Sequence, residues 1–200
     1  MDLPFRLTEP VRTERLLLRR FAATDVDELL PIHADPDAVR YVPYPPRDRQ
    51  AVEDVLLRKV ASTRLGQDGD LLELAATRAD TGALIGDLLL ALRSVEHQTL
   101  EVGYIFAAAQ TGQGFATEAV RALLQLAFGP IGARRVIARV DTRNEPSRAL
   151  LRRIGFRQEA ELIENEWFKG ELTSEADYAF LAREWPPAHR PTTPPDRLAR

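Results

Sequence analysis

The sequence predicts an α/β fold, a sheet of short strands flanked by amphipathic helices, and three stretches carry that prediction. Extended runs near 70–78 and 83–92 are separated by Asp80-Thr81-Gly82, the turn chemistry of an antiparallel hairpin. A third run near 99–106 leads through a glycine-rich turn into 116–128, where Ala119, Val120, Leu123 and Ala127 share one helix face and Glu118, Arg121 and Gln125 another. A short strand at 136–140 and a helix entered at Pro146 then repeat the strand-to-helix alternation.

The other elements follow the same logic. Residues 13–21 form an apolar run bounded by charge and read as a buried strand. Asp25 or Thr24 caps a helix whose Val26, Leu29, Leu30 and His33 fall at i, i+3, i+4 and i+7, so His33 reads as a core-edge residue. Pro43, Pro45 and Pro46 exclude a helix interior or central strand, leaving a loop that carries Tyr41 and Tyr44. Val52, Val55, Leu56, Leu57 and Val60 trace a second helix from Asp48 to about Leu65, with Gly66 as its stop. Leu150, Leu151 and Ile154 supply the apolar side of the helix after Pro146, and Gly155 its C-terminal cap. Strands near 156–164 and 176–183 close a tally of about six to seven strands and about four helices.

The 200 residues suit one domain over 1–185, and the run Pro186 to Pro195 is too poor in apolar residues to join a core, so 186–200 is expected to be a disordered tail. With 44% hydrophobic and 28% charged residues the chain is of the globular class. A net charge of −3 gives no basic excess for nucleic acid, and direct nucleic-acid binding is not expected. The absence of cysteine removes disulfides, thiolate metal sites and cysteine nucleophiles. No signal-peptide pattern and no membrane-length apolar run is visible, so a cytoplasmic protein without membrane contact is expected. His33, His97 and His189 are too dispersed for a ligand motif, and no metal is expected.

Chemistry is concentrated after Leu100-Glu101-Val102-Gly103-Tyr104-Ile105-Phe106. The segment Thr111-Gly112-Gln113-Gly114-Phe115-Ala116-Thr117-Glu118-Ala119 opens a helix through two glycines. A helix N-terminus has unpaired N–H groups and a partial positive charge, and a loop without side-chain bulk lets a phosphate reach them. No third glycine of a dinucleotide fingerprint follows, nor a Gly-Lys-Ser/Thr, which disfavours those two nucleotide readings.

These residues resemble the GNAT N-acetyltransferase family. Gly114 and Ala116 match the end of its Arg/Gln-x-x-Gly-x-Gly/Ala pattern, although Thr111 stands at the first position. The string from Gly112 to Ala119 is similar to the Gly-x-Gly-Tyr-Ala-Thr-Glu-Ala version of the ribosomal-protein N-terminal, or Rim-type, branch. Thr13-Glu14-Arg15-Leu16-Leu17-Leu18-Arg19, Glu101-Val102-Gly103-Tyr104, and Asn144-Glu145-Pro146-Ser147 with Gly155-Phe156 resemble further branch motifs in the same order, covering roughly 11–184. The resemblance implies the GNAT fold, with a mixed, mostly antiparallel twisted sheet, and acetyl-CoA as co-substrate.

It also implies residue roles. Backbone groups of Ile105 and Phe106 would bind the pantetheine arm, and amides of Gly112, Gln113, Gly114, Phe115, Ala116 and Thr117 the pyrophosphate. Asn144 and Ser147 would lie near the reacting end, and one of Arg148, Arg152 and Arg153 could meet coenzyme phosphates. Direct transfer of acetyl to an amine needs a neutral amine, a stabilised oxyanion and a proton for the thiolate. Glu101 is the candidate base, directly or through water, and Ser147 the candidate acid. Tyr41 and Tyr44 are candidates for shaping the acceptor pocket. The acceptor is a primary amine, either a protein N-terminus or a small molecule, and a homodimer is allowed. Two rivals are a non-catalytic acetyl-CoA-binding or protein-interaction module and an RNA-associated ribosomal factor; net acidity counts against the second.

Overall fold

A computed structural model describes residues 1–186. Beyond Pro186, the segment expected to be a disordered tail lies outside the described residues. The chain runs β1 (Val11–Arg12), β2 (Leu16–Arg20), α1 (Val26–Ala34), α2 (Arg49–Ala61), β3 (Leu71–Arg78), β4 (Leu84–Ser94), β5 (Thr99–Phe106), α3 (Phe115–Phe128), β6 (Arg135–Asp141), α4 (Glu145–Ile154), β7 (Arg157–Phe168) and β8 (Glu171–Leu181). One sheet takes the order β1-β2-β3-β4-β5-β6-β8-β7. All neighbours are antiparallel except β5 and β6.

The eighth strand is β1, which the apolar pattern did not reveal. The run expected as one strand over 13–21 is divided. Thr13 N–H donates to Leu16 O at 2.9 Å, and the Thr13 hydroxyl accepts from Leu16 N–H at 2.9 Å, so residues 13–15 turn and let Val11 fold back on Leu18. Asp25 stands at the N-cap position of α1, as expected, but its side chain makes no capping hydrogen bond to that helix. A 3-10 turn over Ala23–Asp25 precedes the helix, and the Asp25 carboxylate takes the Arg19 fork at 2.8 Å on each oxygen and the Ala22 amide. Helix α2 stops at Ala61, short of Gly66: Ser62 leaves helical geometry, its hydroxyl donates to Leu71 O, and Leu65 bridges Phe5 and is fully buried. Strands β7 and β8 are longer than expected, joined by Lys169-Gly170, both at positive φ, the backbone a tight hairpin needs.

The helices cover opposite faces. Helices α3 and α4 bury Leu123, Leu124 and Leu151 on Leu88, Leu90, Val102 and Val136. Helices α1 and α2 bury Leu29, Ile32, Val52 and Leu56 on Ala75, Leu84 and Ile105 of the other face. A consequence for the site lies in the middle of the sheet. Strand β5 pairs with β4 from Thr99 to Phe106, but with β6 only from Thr99 to Glu101. From Val102 to Phe106 its other edge is left without a strand.

Candidate active site

The fork between β5 and β6 opens beside the N-terminus of α3. Gly112 and Gly114 have φ of +79° and +83°, a region where a side chain is strained. They turn the chain so that the first helical hydrogen bond runs from Glu118 N–H to Gly114 O at 3.1 Å. Among the described residues no acceptor takes the amides from Gly112 to Thr117, and a Cβ at Gly112 would meet open space. Six adjacent N–H groups at a helix N-terminus, unobstructed, fit the pyrophosphate of a coenzyme.

The cradle is fixed from behind by the first motif. Glu118 Oε1 accepts the Thr13 hydroxyl at 2.6 Å and the Arg15 amide at 2.7 Å, and its Oε2 accepts Arg15 Nε at 2.8 Å. Arg15 also donates to Gln113 O at 2.9 Å and lies over the Phe115 ring. Burial pushes the Glu118 carboxyl up, but these hydrogen bonds outweigh it and hold the group below the usual carboxylate range. The Thr-Glu-Arg and Ala-Thr-Glu-Ala strings, far apart in sequence, are thus two halves of one fastening. A groove of about 460 Å³ beside it is lined by Arg12, Arg15, Arg121 and Arg153. Of the three arginines singled out on α4, Arg153 reaches Thr117 at 3.4 Å, Arg152 pairs with Glu145, and Arg148 turns to Tyr178 and Thr142.

At the inner end of the fork Asn144 caps α4, its Oδ1 accepting Ser147 N–H at 3.2 Å. The Ser147 hydroxyl is 2.6 Å from the Tyr104 hydroxyl. Burial pushes the Tyr104 phenol up to about 12, against the Ser147 hydrogen bond, so it keeps its proton throughout the physiological range. Sequence reasoning had used Tyr104 only as a motif letter; its i, i+2 relation to Val102 and Phe106 was the available signal that it faces α4.

On the opposite face a cleft of about 400 Å³ reaches Gly103 and Ile105 of β5. Buried in its wall is a charged chain. Asp87, directly across the ladder from Ile105, accepts from His33 Nε2 at 2.8 Å and from Lys59 Nζ at 3.0 Å; Lys59 also donates to Glu73 at 2.5 Å. Tyr44 stacks on His33 at 5.6 Å and 6°, and burial raises its phenol above the ordinary value. Tyr44 thus lines this cleft. Tyr41 does not; Arg40 packs over its ring. Glu101 lies on the same face of β5 as Ile105, two side-chain positions away, about 13 Å by strand rise, and is held by Arg93 at 2.6 Å and Arg139 at 3.3 Å. Among the described residues no helix is long and apolar enough to cross a membrane, and no cluster of three or more His, Cys, Asp or Glu is placed to hold a metal.

Comparison with known proteins agrees with this geometry. An acetyltransferase (GNAT) domain model matches residues 15–157. The N-acetyltransferase p20 of Bacillus licheniformis, itself uncharacterised, is 28% identical over 177 residues, 88% of this chain and 98% of that protein. A Bacillus subtilis strain 168 protein named "Putative ribosomal N-acetyltransferase YdaF" is 32% identical over 119 residues, 60% of this chain and 65% of its own length. A crystal structure of a GNAT-family acetyltransferase from Bacillus anthracis superposes with a TM-score of 0.79 at 24% identity, over 88% of this chain and 99% of that one. A split sheet, an open amide cradle at the fork and a domain match over most of the chain together place this protein in the GNAT family of acetyl-CoA-dependent acyltransferases.

Proposed function

We propose that the protein moves the acetyl group from acetyl-CoA directly to a primary amine that enters from the α1–α2 face. The observation that carries this reading is the fork itself: the free edge of Val102–Phe106 faces the α3 cradle and Ser147 on one side and the acceptor cleft on the other. Acetyl-CoA bound there supplies the activated acyl group. Amides of Gly112, Gln113, Gly114, Phe115, Ala116 and Thr117 hold its pyrophosphate, with Arg153 and Arg121 near its outer phosphates. Backbone groups of Phe106 on the free edge hold the arm and polarise the carbonyl, since donors aimed at a developing oxyanion lower the barrier more than they strengthen ground-state binding. Those of Ile105 face Asp87 across the β4 ladder, so Ile105 contributes its side chain and not its amide.

Ser147, fixed by the Asn144 cap, donates the proton to the departing thiolate, and Tyr104 orients its hydroxyl. Glu101 is kept as the general base; at about 13 Å from Ile105 by strand rise, and paired with Arg93 and Arg139, it reaches the amine only through a chain of several waters. Tyr44 shapes the acceptor pocket, and Tyr41 contributes through the loop that carries it. A protein N-terminus as acceptor is favoured by the Rim-type strings at 13–19 and 112–119; a small-molecule amine is favoured by the modest volume of the cleft. A homodimer belongs to the same reading, and sedimentation tests it. The decisive experiment measures coenzyme thiol release with a panel of amines, amino-terminal peptides included, alongside calorimetric acetyl-CoA binding. Turnover on at least one amine is expected. Tight binding with no turnover on any would establish a binding module instead.

A further inference from the structure

The acceptor cleft holds acids and bases in unequal states of use. Both acids are engaged: Asp87 by His33 and Lys59, Glu73 by Lys59. His33 donates from Nε2 to Asp87 and accepts at Nδ1 from Arg47 at 3.0 Å, the neutral tautomer this network assigns. Arg47 and Arg58, in contrast, line the cleft with no carboxylate partner among the described residues.

Arg47 is also held in place. Its amide donates to His33 O at 2.9 Å, one guanidinium nitrogen is tied to His33, and the guanidinium plane lies 3.5 Å from the centre of the Tyr44 ring, itself stacked on His33. Fixing a long, half-buried arginine without a counter-charge leaves the rest of its planar fork turned to the cleft, pre-organised for a planar or tetrahedral anion. Arg58 stands exposed at the rim, one residue before Lys59.

We propose that the acceptor carries an anionic group, carboxylate or phosphate, in addition to its amine. Arg47 grips that group from within the cleft and Arg58 meets it at the rim, while the amine end lies toward Asp87 and Ile105, where the acyl donor arrives. The inference rests on the reading of this cleft as the acceptor site. It selects small zwitterionic amines, of amino-acid to dipeptide size for a cleft of about 400 Å³, and disfavours polyamines, which the unpaired guanidiniums repel.

The test uses the full chain and five probes: glycine and glycinamide, phosphoethanolamine and ethanolamine, and spermidine. Each is measured by thiol release and, independently of turnover, by calorimetric binding to the coenzyme-loaded protein. Neutralising the anion is expected to weaken binding and kcat/KM by about 10–100-fold, and whichever anion gives the larger effect identifies the source. Arg47→Met and Arg58→Met should shrink that ratio toward one. Arg58→Met removes no side-chain hydrogen bond or ion pair among the described residues, and an unchanged urea midpoint would show that its effect is not a loss of fold. Anionic amines that bind without turnover would support the inference and refute the transferase reading. Turnover of spermidine or the neutral amines at rates equal to the anionic ones would overturn the inference and leave the transferase standing. So would a ratio that survives both arginine substitutions, or failure of both anionic amines to bind.

Discussion

Removing one oxygen from Tyr104 separates an acid that works alone from an acid held by a partner. Tyr104→Phe deletes the 2.6 Å contact and leaves the Ser147 hydroxyl free to rotate. A neutral hydrogen bond of this kind contributes about 0.5–1.5 kcal/mol to stability, which in a chain of this size lowers Tm by roughly 2–4 °C per kcal/mol. The effect on rate should be larger. A positioned proton donor contributes about 10²–10⁴-fold, so Ser147→Ala should lower kcat by that order, and Tyr104→Phe by about 10-fold, because the donor survives but is no longer aimed. Acetyl-CoA affinity should stay within a few-fold in both, since the interaction matters at the transition state.

The assay is saturating thiol release with calorimetric coenzyme binding on both single variants and the double variant. If the two hydroxyls act as one unit, Tyr104→Phe costs nothing further in kcat once Ser147 is alanine. Losses that multiply in the double variant would refute the orienting role of Tyr104. The pH dependence has a definite sign. The folded protein raises the Tyr104 pKa from its ordinary value of 10.0 to about 12, so the stabilisation is complete below pH 10 and is lost as pH rises toward about 12. Wild type and Tyr104→Phe should therefore differ in the slope of stability against pH only in the alkaline range, as urea titrations at several pH values would read.

Three other outcomes are expected. Gly114→Val forces a branched residue to φ +83°, costs about 1–2 kcal/mol for the left-handed backbone, and places its Cβ 3.3 Å from Arg15 Nη2; acetyl-CoA affinity should fall strongly, and unchanged calorimetric affinity in a folded variant would reject the cradle. Lys59→Met leaves Asp87 and Glu73 facing each other in a buried wall, and breaking a buried pair costs about 3–5 kcal/mol, readable as a lower urea midpoint. Glu101→Gln should lower turnover and abolish an ascending limb of the pH–rate profile that stays fixed when the acceptor's amine pKa is varied; a limb that persists assigns the base elsewhere.

The parts of the site that lie along one stretch of chain were legible because local physics writes them there. Helix α3 announces itself by its apolar period, its entry by Gly112 and Gly114, and α4 by Asn144 and Pro146. The acceptor wall was not legible. His33 is 54 residues from Asp87, and Lys59 is 28 from Asp87 and 14 from Glu73, and each sits on a different element. The helical period placed His33 on a buried stripe correctly, but nothing in that period says that a carboxylate waits opposite. Glu101 was found as a motif letter, and its two arginine partners come from Arg93 on β4 and Arg139 on β6, pairings that only the sheet order creates.

The last strand among the described residues is an interior one. Strand β8 lies between β6 and β7, so during synthesis β7 emerges with no neighbour to pair with until residues 171–181 follow. Its composition suits that wait: Arg157-Gln158-Glu159 and Glu164-Asn165-Glu166 keep an unpaired strand hydrated and discourage it from pairing with another chain. When β8 arrives it carries in the Lys169 corner, whose Nζ donates to Val39 O at 2.7 Å and Arg40 O at 3.3 Å across 130 residues of sequence. The loop that bears both tyrosines is therefore tethered last, by a residue outside the 15–157 segment that the domain model matches. A chain ending near residue 157 would lack this latch on the loop of the amine-binding side, and would lack the Phe180 ring that packs on Phe128 of α3.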